Sequence, residues 1–108
     1  MTTAWIDRFD PPWLRVRAER ARAFEQELRA EMHPDHPLFE RCVTARAVAV
    51  RIDCDDVAFA LADGFAIVHL TWKGRPEHGA WPGTSLFDTR EALAVQLARD
   101  HEAWADEA

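Results

Sequence analysis

Two short turns inside one alternating stretch, residues 47–71, constrain the fold of this chain more than any other feature of its sequence. Asp63-Gly64 is a two-residue hairpin signal, because both residue types tolerate the positive φ that such turns need. It pairs Phe59 with Val68. A second turn at Cys54-Asp55 pairs Phe59 with Val50 on the preceding strand. Because cross-strand partners point to the same face, the two turns together predict a three-stranded antiparallel meander with one apolar face, made of Val48, Val50, Ile52, Val57, Phe59, Leu61, Val68 and Leu70.

Helical patterns flank the meander on both sides. Asp10-Pro11-Pro12 is a helix-start signal, since Asp is a good N-cap and Pro is tolerated in the first turn. An apolar stripe at helical spacing follows, and the helix is expected to end at the proline-rich residues 33–37. The stripe consists of Leu14, Ala18, Ala21, Phe24, Leu28 and Met32. A second helix is predicted from a capping box of Asp88 and Glu91, with Phe87 as the staple. Its inward stripe is Leu93, Leu97, His101 and Trp104.

These elements predict an α+β fold in the order N-terminal helix, three-stranded antiparallel β-meander, C-terminal helix. Both helices are expected to pack on one sheet face, because a meander needs an apolar cover to be stable. The 108 residues fit a single domain spanning positions 1–108. No apolar run approaches the ~20 residues of a membrane helix. The charged, proline-containing N-terminus has no signal-peptide pattern, so we expect a cytoplasmic protein.

The net charge of −6, from 19 acidic and 13 basic residues, argues against a nucleic-acid partner. Cys42 and Cys54 show no metal-binding or redox spacing, and we expect reduced thiols. His33 and His36 are closely spaced, but the sequence supplies no third ligand, so no metal site is assigned and the question of metal binding at this pair stays open. No nucleophile, phosphate-binding or dinucleotide motif is present, and no catalytic residue or cofactor is assigned.

The sheet face opposite the apolar one carries the candidate site. The predicted registers gather polar residues at one end of this face, next to a loop rich in Gly and Pro. The functional interpretation is a ligand or partner site in which His69 acts as an acid, a base or a hydrogen-bond donor, and the alternative is an ordinary solvated sheet end. The candidate binding residues are Arg51, His69, Thr71, Lys73, Arg75, His78 and Trp81.

The segment AIVHLTWKGRPEHGAWP, followed by SLFDTREAL, resembles a pattern in short bacterial proteins that have no established activity. In those proteins a strand ending in an HLTW-type motif leads through a loop into a terminal helix. The resemblance covers residues 66–93, and His69-Leu70-Thr71-Trp72 is its distinctive element. It implies no reaction, but it points to the surroundings of His69 as the site to test.

Three functions follow from these observations. The first is a small, acidic, non-catalytic bacterial accessory protein that binds another protein through the His69 region or the alanine-rich part of the same face. The second is a small hydrolase or ligand-binding enzyme that uses His69 with Asp53 or Asp56. The third is a homodimer that buries the alanine-rich patch between two copies, a patch formed by Ala47, Ala49, Ala60, Phe65 and Ile67.

Overall fold

The computed structural model describes residues 9–76 and 82–107. Five strands and two α-helices make up the regular structure of these residues, with a short 3₁₀ helix at Arg41–Thr44. In chain order the elements are β1 (Trp13–Arg15), α1 (Ala18–Glu31), β2 (Arg46–Arg51), β3 (Asp56–Leu61), β4 (Gly64–His69), β5 (Gly83–Phe87) and α2 (Arg90–Glu107).

The strands form one antiparallel sheet in which sequence order is also spatial order, β1-β2-β3-β4-β5. The α+β class with an antiparallel sheet is therefore confirmed, but the predicted three-stranded meander is wrong. One extra strand is added at each edge, β1 beside β2 and β5 beside β4. Both lie in segments whose sequences lack a long alternating pattern, so only pairing with a neighbour makes them strands.

The prediction that the chain opens with a helix at Pro11 is wrong. Trp13–Arg15 is a strand, and Trp13 pairs with Arg51 across the first edge of the sheet. Backbone hydrogen bonds extend this pairing, because the Ile52 amide donates to the Pro12 carbonyl at 2.9 Å. The helix begins only at Ala18, after an extended Arg17 that provides no side-chain cap. Sheet pairing thus overrides the helix-start signal of Asp10.

The predicted capping box at Asp88 is also wrong. Phe87 is the last residue of β5, and the hydroxyl of Thr89 accepts a hydrogen bond from the Ala92 amide at 3.1 Å. Thr89 is therefore the N-cap of α2, one residue later than expected.

The two helices lie on opposite faces of the sheet, which overturns the prediction that both pack on one face. On one side α1 contributes Phe24, Leu28 and Met32 to a core with Val57 and Phe59. On the other side a second cluster contains Trp13, Ala49 and Ala58, with Leu97 of α2 packed against it. The small alanine side chains let α2 come close to the sheet, so the molecule has three layers.

Burial of the alanines bears directly on the homodimer hypothesis. Ala49 and Ala58 are fully buried beneath α2 and its neighbours, and Ala47 lies in the core on the α1 side. The alanine-rich patch is therefore not a free surface that a second copy could cover.

Both central hairpins are shifted by two residues from the predicted register. Phe59 pairs with Ala66 instead of Val68, and Val50 pairs with Val57 instead of Phe59. A shift of two preserves the face of every side chain. Val57, Phe59 and Val68 are accordingly buried on the same side, as predicted.

Two members of the predicted apolar face are misplaced. The first turn spans residues 52–55, so Ile52 leaves the strand and is 55% exposed. The register of β2 against β3 changes between Ala47 and Ala49, which turns Val48 toward the α2 side. The buried carboxylate of Glu25 accepts a hydrogen bond from the Ala47 amide at 3.0 Å beside this irregularity.

Candidate functional site

His69 and Asp56 form a hydrogen-bonded contact at the end of the sheet on the α2 side. They are direct cross-strand partners on β4 and β3, and His69 Nδ1 lies 2.7 Å from Asp56 Oδ1. The side chains are 46% and 26% exposed, respectively. A carboxylate bound to Nδ1 fixes the orientation of an imidazole and leaves Nε2 for other partners. Within residues 9–76 and 82–107 no hydrogen bond to Nε2 of His69 is formed.

Arg51 lies near this pair, but its guanidinium is already bound to acidic residues of the protein itself. Its guanidinium makes two 2.9 Å hydrogen bonds to Asp53 and lies 3.6 Å from Asp100 of α2. The Arg51 guanidinium lowers the pKa of the Asp53 carboxyl by hydrogen bonding to it. Trp13 donates to Asp100 at 3.0 Å, so the same network joins β1, β2 and α2. Arg51 therefore holds α2 against the sheet, and its charge is already compensated.

No nucleophile accompanies the His69–Asp56 pair among the described residues. Cys54 is exposed on the neighbouring turn, but desolvation raises the pKa of its thiol above the ordinary value. A thiol with a raised pKa is a poor nucleophile at neutral pH. The Thr71 hydroxyl is buried and is not offered to a ligand on this face. The geometry thus contains an oriented imidazole without the third member of a catalytic triad.

The segment after His69 crosses to the α1 side of the sheet. Leu70 is buried in the core on that side, and the next amides bind two carboxylates of α1. Thr71 N lies 2.9 and 3.1 Å from the two oxygens of Glu31, and Trp72 N lies 2.9 Å from Oε2 of the same residue. Gly74 N donates to Glu27 at 2.9 Å. We call residues 71–76 the Trp72 loop.

Glu31 is the most unusual acidic residue of the described chain. It is fully buried, at 0% exposure, and it is the last residue of α1. Burial, and next a hydrogen bond with Glu27, raise the pKa of the Glu31 carboxyl to about 7 against the opposing effect of the two loop amides. The partial negative charge at a helix C-terminus acts in the same direction. Glu31 is consequently a group that changes its charge near neutral pH.

Trp72 is held in a strained backbone conformation. Its φ is 60°, in the left-handed region that bulky residues rarely adopt. The indole packs on Phe24 with ring centroids 5.7 Å apart, and Arg20 lies 5.1 Å from the Phe24 ring on its own helix. Even so, Trp72 remains 46% exposed. Backbone strain of this kind persists only where the surroundings enforce it, and it concentrates at functional sites.

The structure separates the predicted site residues into two groups. Arg51 and His69 lie on the α2 side of the sheet, whereas Thr71 belongs to the Trp72 loop on the α1 side. Lys73 and Arg75 are exposed in the same loop. The remaining two predicted residues, His78 and Trp81, lie outside the described residues.

The sequence interpretation missed Glu27, Glu31 and the role of Trp72. The sequence did contain one signal for the two acids. Glu27 and Glu31 are four residues apart on a helix, where like charges repel and are unfavourable without a compensating partner. Nothing in the sequence indicates the positive φ of Trp72, because a bulky residue is not expected there.

The hydrogen bonds of His36 argue against a metal site at the closely spaced pair His33 and His36. Its Nδ1 accepts from the Leu38 amide at 3.0 Å, which leaves Nε2 as the donor to the Pro82 carbonyl at 3.0 Å. Both ring nitrogens of this buried side chain are therefore occupied by the protein. No group of three potential metal ligands occurs in the described parts of the chain.

No known protein family, no curated protein and no solved structure matches this chain. The resemblance of residues 66–93 to short bacterial proteins therefore stays a prediction. In the ranges that the structure covers, no helix combines the length and apolar character needed to cross a bilayer. The function has to be argued from the geometry of the site.

Proposed function

We propose that the chain is a non-catalytic protein-binding module whose contact surface is the Trp72 loop, with His69 at its border. The main observation behind this proposal is that the exposed Trp72 has a φ of 60° and that its amide donates to the fully buried carboxylate of Glu31. The indole packs on Phe24 but stays 46% exposed, although further burial would stabilise the fold. A rigid aromatic side chain that is already in position has little entropy to lose on binding.

Composition and charge of the loop define the partner. Tryptophan is among the residues that most often dominate the energy of protein interfaces. Arg75 is an exposed cation of the Trp72 loop, on a protein whose net charge is −6. We therefore propose a protein partner with an apolar cleft for the indole and acidic residues around it. In this proposal the chain is a bacterial accessory protein that meets its partner in the cytoplasm.

The test compares two single substitutions of exposed apolar residues. Trp72→Ala removes the proposed anchor, and Val95→Ala truncates a side chain on α2 that is 52% exposed. Each variant and the wild type are immobilised and exposed to extract of the source cell, and bound proteins are quantified by mass spectrometry. We expect a specific partner to bind the wild type and Val95→Ala, and to bind Trp72→Ala at least about tenfold more weakly.

Folding and specificity controls complete this experiment. Circular dichroism must show the same secondary structure for all three proteins, so that a loss of capture reports on the surface. Equal capture by the wild type and Trp72→Ala would refute the assignment of the Trp72 loop. The purified partner then provides a dissociation constant for each variant.

A second candidate function rests on the 2.7 Å contact between His69 and Asp56. An imidazole oriented by a carboxylate is able to act as a general base toward a water molecule. In that case the wild type should hydrolyse an activated ester such as p-nitrophenyl acetate faster than His69→Ala, with Asp56→Asn intermediate. Equal rates for the three proteins would remove the enzyme hypothesis at this pair.

A further inference from the structure

We infer that Glu27 and Glu31 form a proton-operated latch that fixes one end of the Trp72 loop and opens it when the shared proton is lost. The inference rests on the proposed function only for its consequence, since a latch on this loop would regulate binding. The latch itself is a property of the isolated protein.

The geometry of the latch is a pair of acids one helical turn apart that holds nearly consecutive loop amides. Glu31 accepts from Thr71 and Trp72, and Glu27 accepts from Gly74. The two side chains lie one helical turn apart on α1, and hydrogen bonding with Glu27 is among the causes that raise the pKa of the Glu31 carboxyl. Carboxylates have no protons to donate, so this last contact requires that one of the two groups be protonated.

The charges around Glu31 determine which state the latch adopts. On α1 the neighbouring charged group is Glu27, and on the loop the amides of Thr71 and Trp72 face the carboxyl. The carboxyl is thus buried beside a second acid, and its pKa is raised to about 7.

Below this pH the neutral Glu31 carboxyl donates its proton to Glu27 and still accepts the amides of Thr71 and Trp72. Glu27 then accepts from both Glu31 and Gly74, and both ends of the turn around Trp72 are fixed. Above this pH the donor is lost and two like charges face each other. Glu27 is only half-buried and Glu31 is fully buried, so Glu27 moves toward water and releases the Gly74 amide.

Release at Gly74 changes how Trp72 is presented. Glu31 keeps its bonds to the first two amides of the loop, whereas the Gly74 end gains freedom. The strained φ of Trp72 is then no longer enforced from both sides. An indole that is no longer held in position binds a rigid cleft more weakly. Binding through the Trp72 loop should therefore weaken as the pH rises through about 7.

The experiment follows the Gly74 amide by ¹H–¹⁵N NMR in the full chain from pH 5.5 to 8.5, without a partner. In the wild type we expect its resonance to move with a midpoint near 7. In Glu31→Gln the transition should disappear, because the amide side chain is neutral at every pH and still bonds to Glu27. Glu102→Gln, an exposed substitution on α2, should retain the wild-type transition.

A second variant keeps the inference falsifiable if Glu31→Gln does not fold. Glu27→Gln removes the repulsion between the two acids, so any transition that remains in the loop amides of Thr71 and Trp72 should have a midpoint below that of the wild type. An unchanged Gly74 resonance in the wild type, or a transition that persists in Glu31→Gln, would overturn the latch. Neither readout uses a partner, so failure of the latch and failure of the binding proposal are distinguishable.

Discussion

Replacing Glu31 with Gln should remove a specific part of the pH dependence of stability. Moving the pKa of a carboxyl from 4.5 to about 7 on folding corresponds to about 3 kcal/mol of unfolding free energy. The folded state binds more protons than the unfolded state across this range. The sign is therefore fixed: this contribution is fully present below pH 4.5 and is lost as the pH rises through about 7.

Urea denaturation followed by circular dichroism at pH 5, 6, 7 and 8 would measure this effect. The other carboxyls titrate in both proteins, so the informative quantity is the difference in unfolding free energy between Glu31→Gln and the wild type. We expect this difference to shift by about 2.5 kcal/mol in favour of the variant between pH 5 and 8. Glu102→Gln, an exposed substitution on α2, is the control, and the shift expected for Glu31→Gln should not appear in its difference from the wild type.

Two results would contradict this reasoning. A difference between Glu31→Gln and wild type that stays constant with pH would show that Glu31 has the same pKa in the folded and unfolded chains. A wild type that gains stability over the variant as the pH rises would show that the three amide contacts outweigh burial. In either case the latch would lose its physical basis.

Three further substitutions test the packing that supports the site, each by urea denaturation. Phe59→Ala should cost about 3–5 kcal/mol, since the ring is fully buried between the sheet and α1, and a cost below about 1 kcal/mol would contradict the assigned core. Gly64→Ala should lower the free energy of unfolding by about 1–3 kcal/mol, because the new Cβ would lie 2.6 Å from the Phe87 carbonyl oxygen. An unchanged free energy of unfolding would mean that β5 is free to move away from the new side chain. Trp13→Phe should cost about 1 kcal/mol through the lost bond to Asp100, and additivity with Asp100→Asn would show that the two groups do not interact.

The faces of the central strands were predictable although both turns were misplaced. Gly64 was expected inside a two-residue turn, but the turn consists of Ala62 and Asp63. Gly64 instead begins β4, where the absence of a side chain lets the Phe87 carbonyl approach. The resulting shift by two residues left Val57, Phe59 and Val68 on the predicted side, because side chains alternate with a period of two.

The candidate site was only partly predictable. The sequence indicated His69 and named Asp56 as one of two possible partners, and the register then made these residues direct neighbours. The expected convergence of His69 with the loop does not occur, because the chain crosses to the other side of the sheet after His69. Thr71 and Trp72 are drawn to α1 by a carboxylate that is 40 residues away from Thr71 in sequence.

Local chemistry by itself determined the alternation of the strands, and with it which side chains of β3 and β4 face the core together. Only the tertiary structure decided that α2 covers the alanine side of the sheet and that Glu31 is buried against the Trp72 loop. An apolar stripe on a helix is able to pack on either face of a sheet, and a carboxyl is charged or neutral according to its surroundings. Both outcomes depend on contacts between residues far apart in the chain, where neither periodicity nor local propensity carries information.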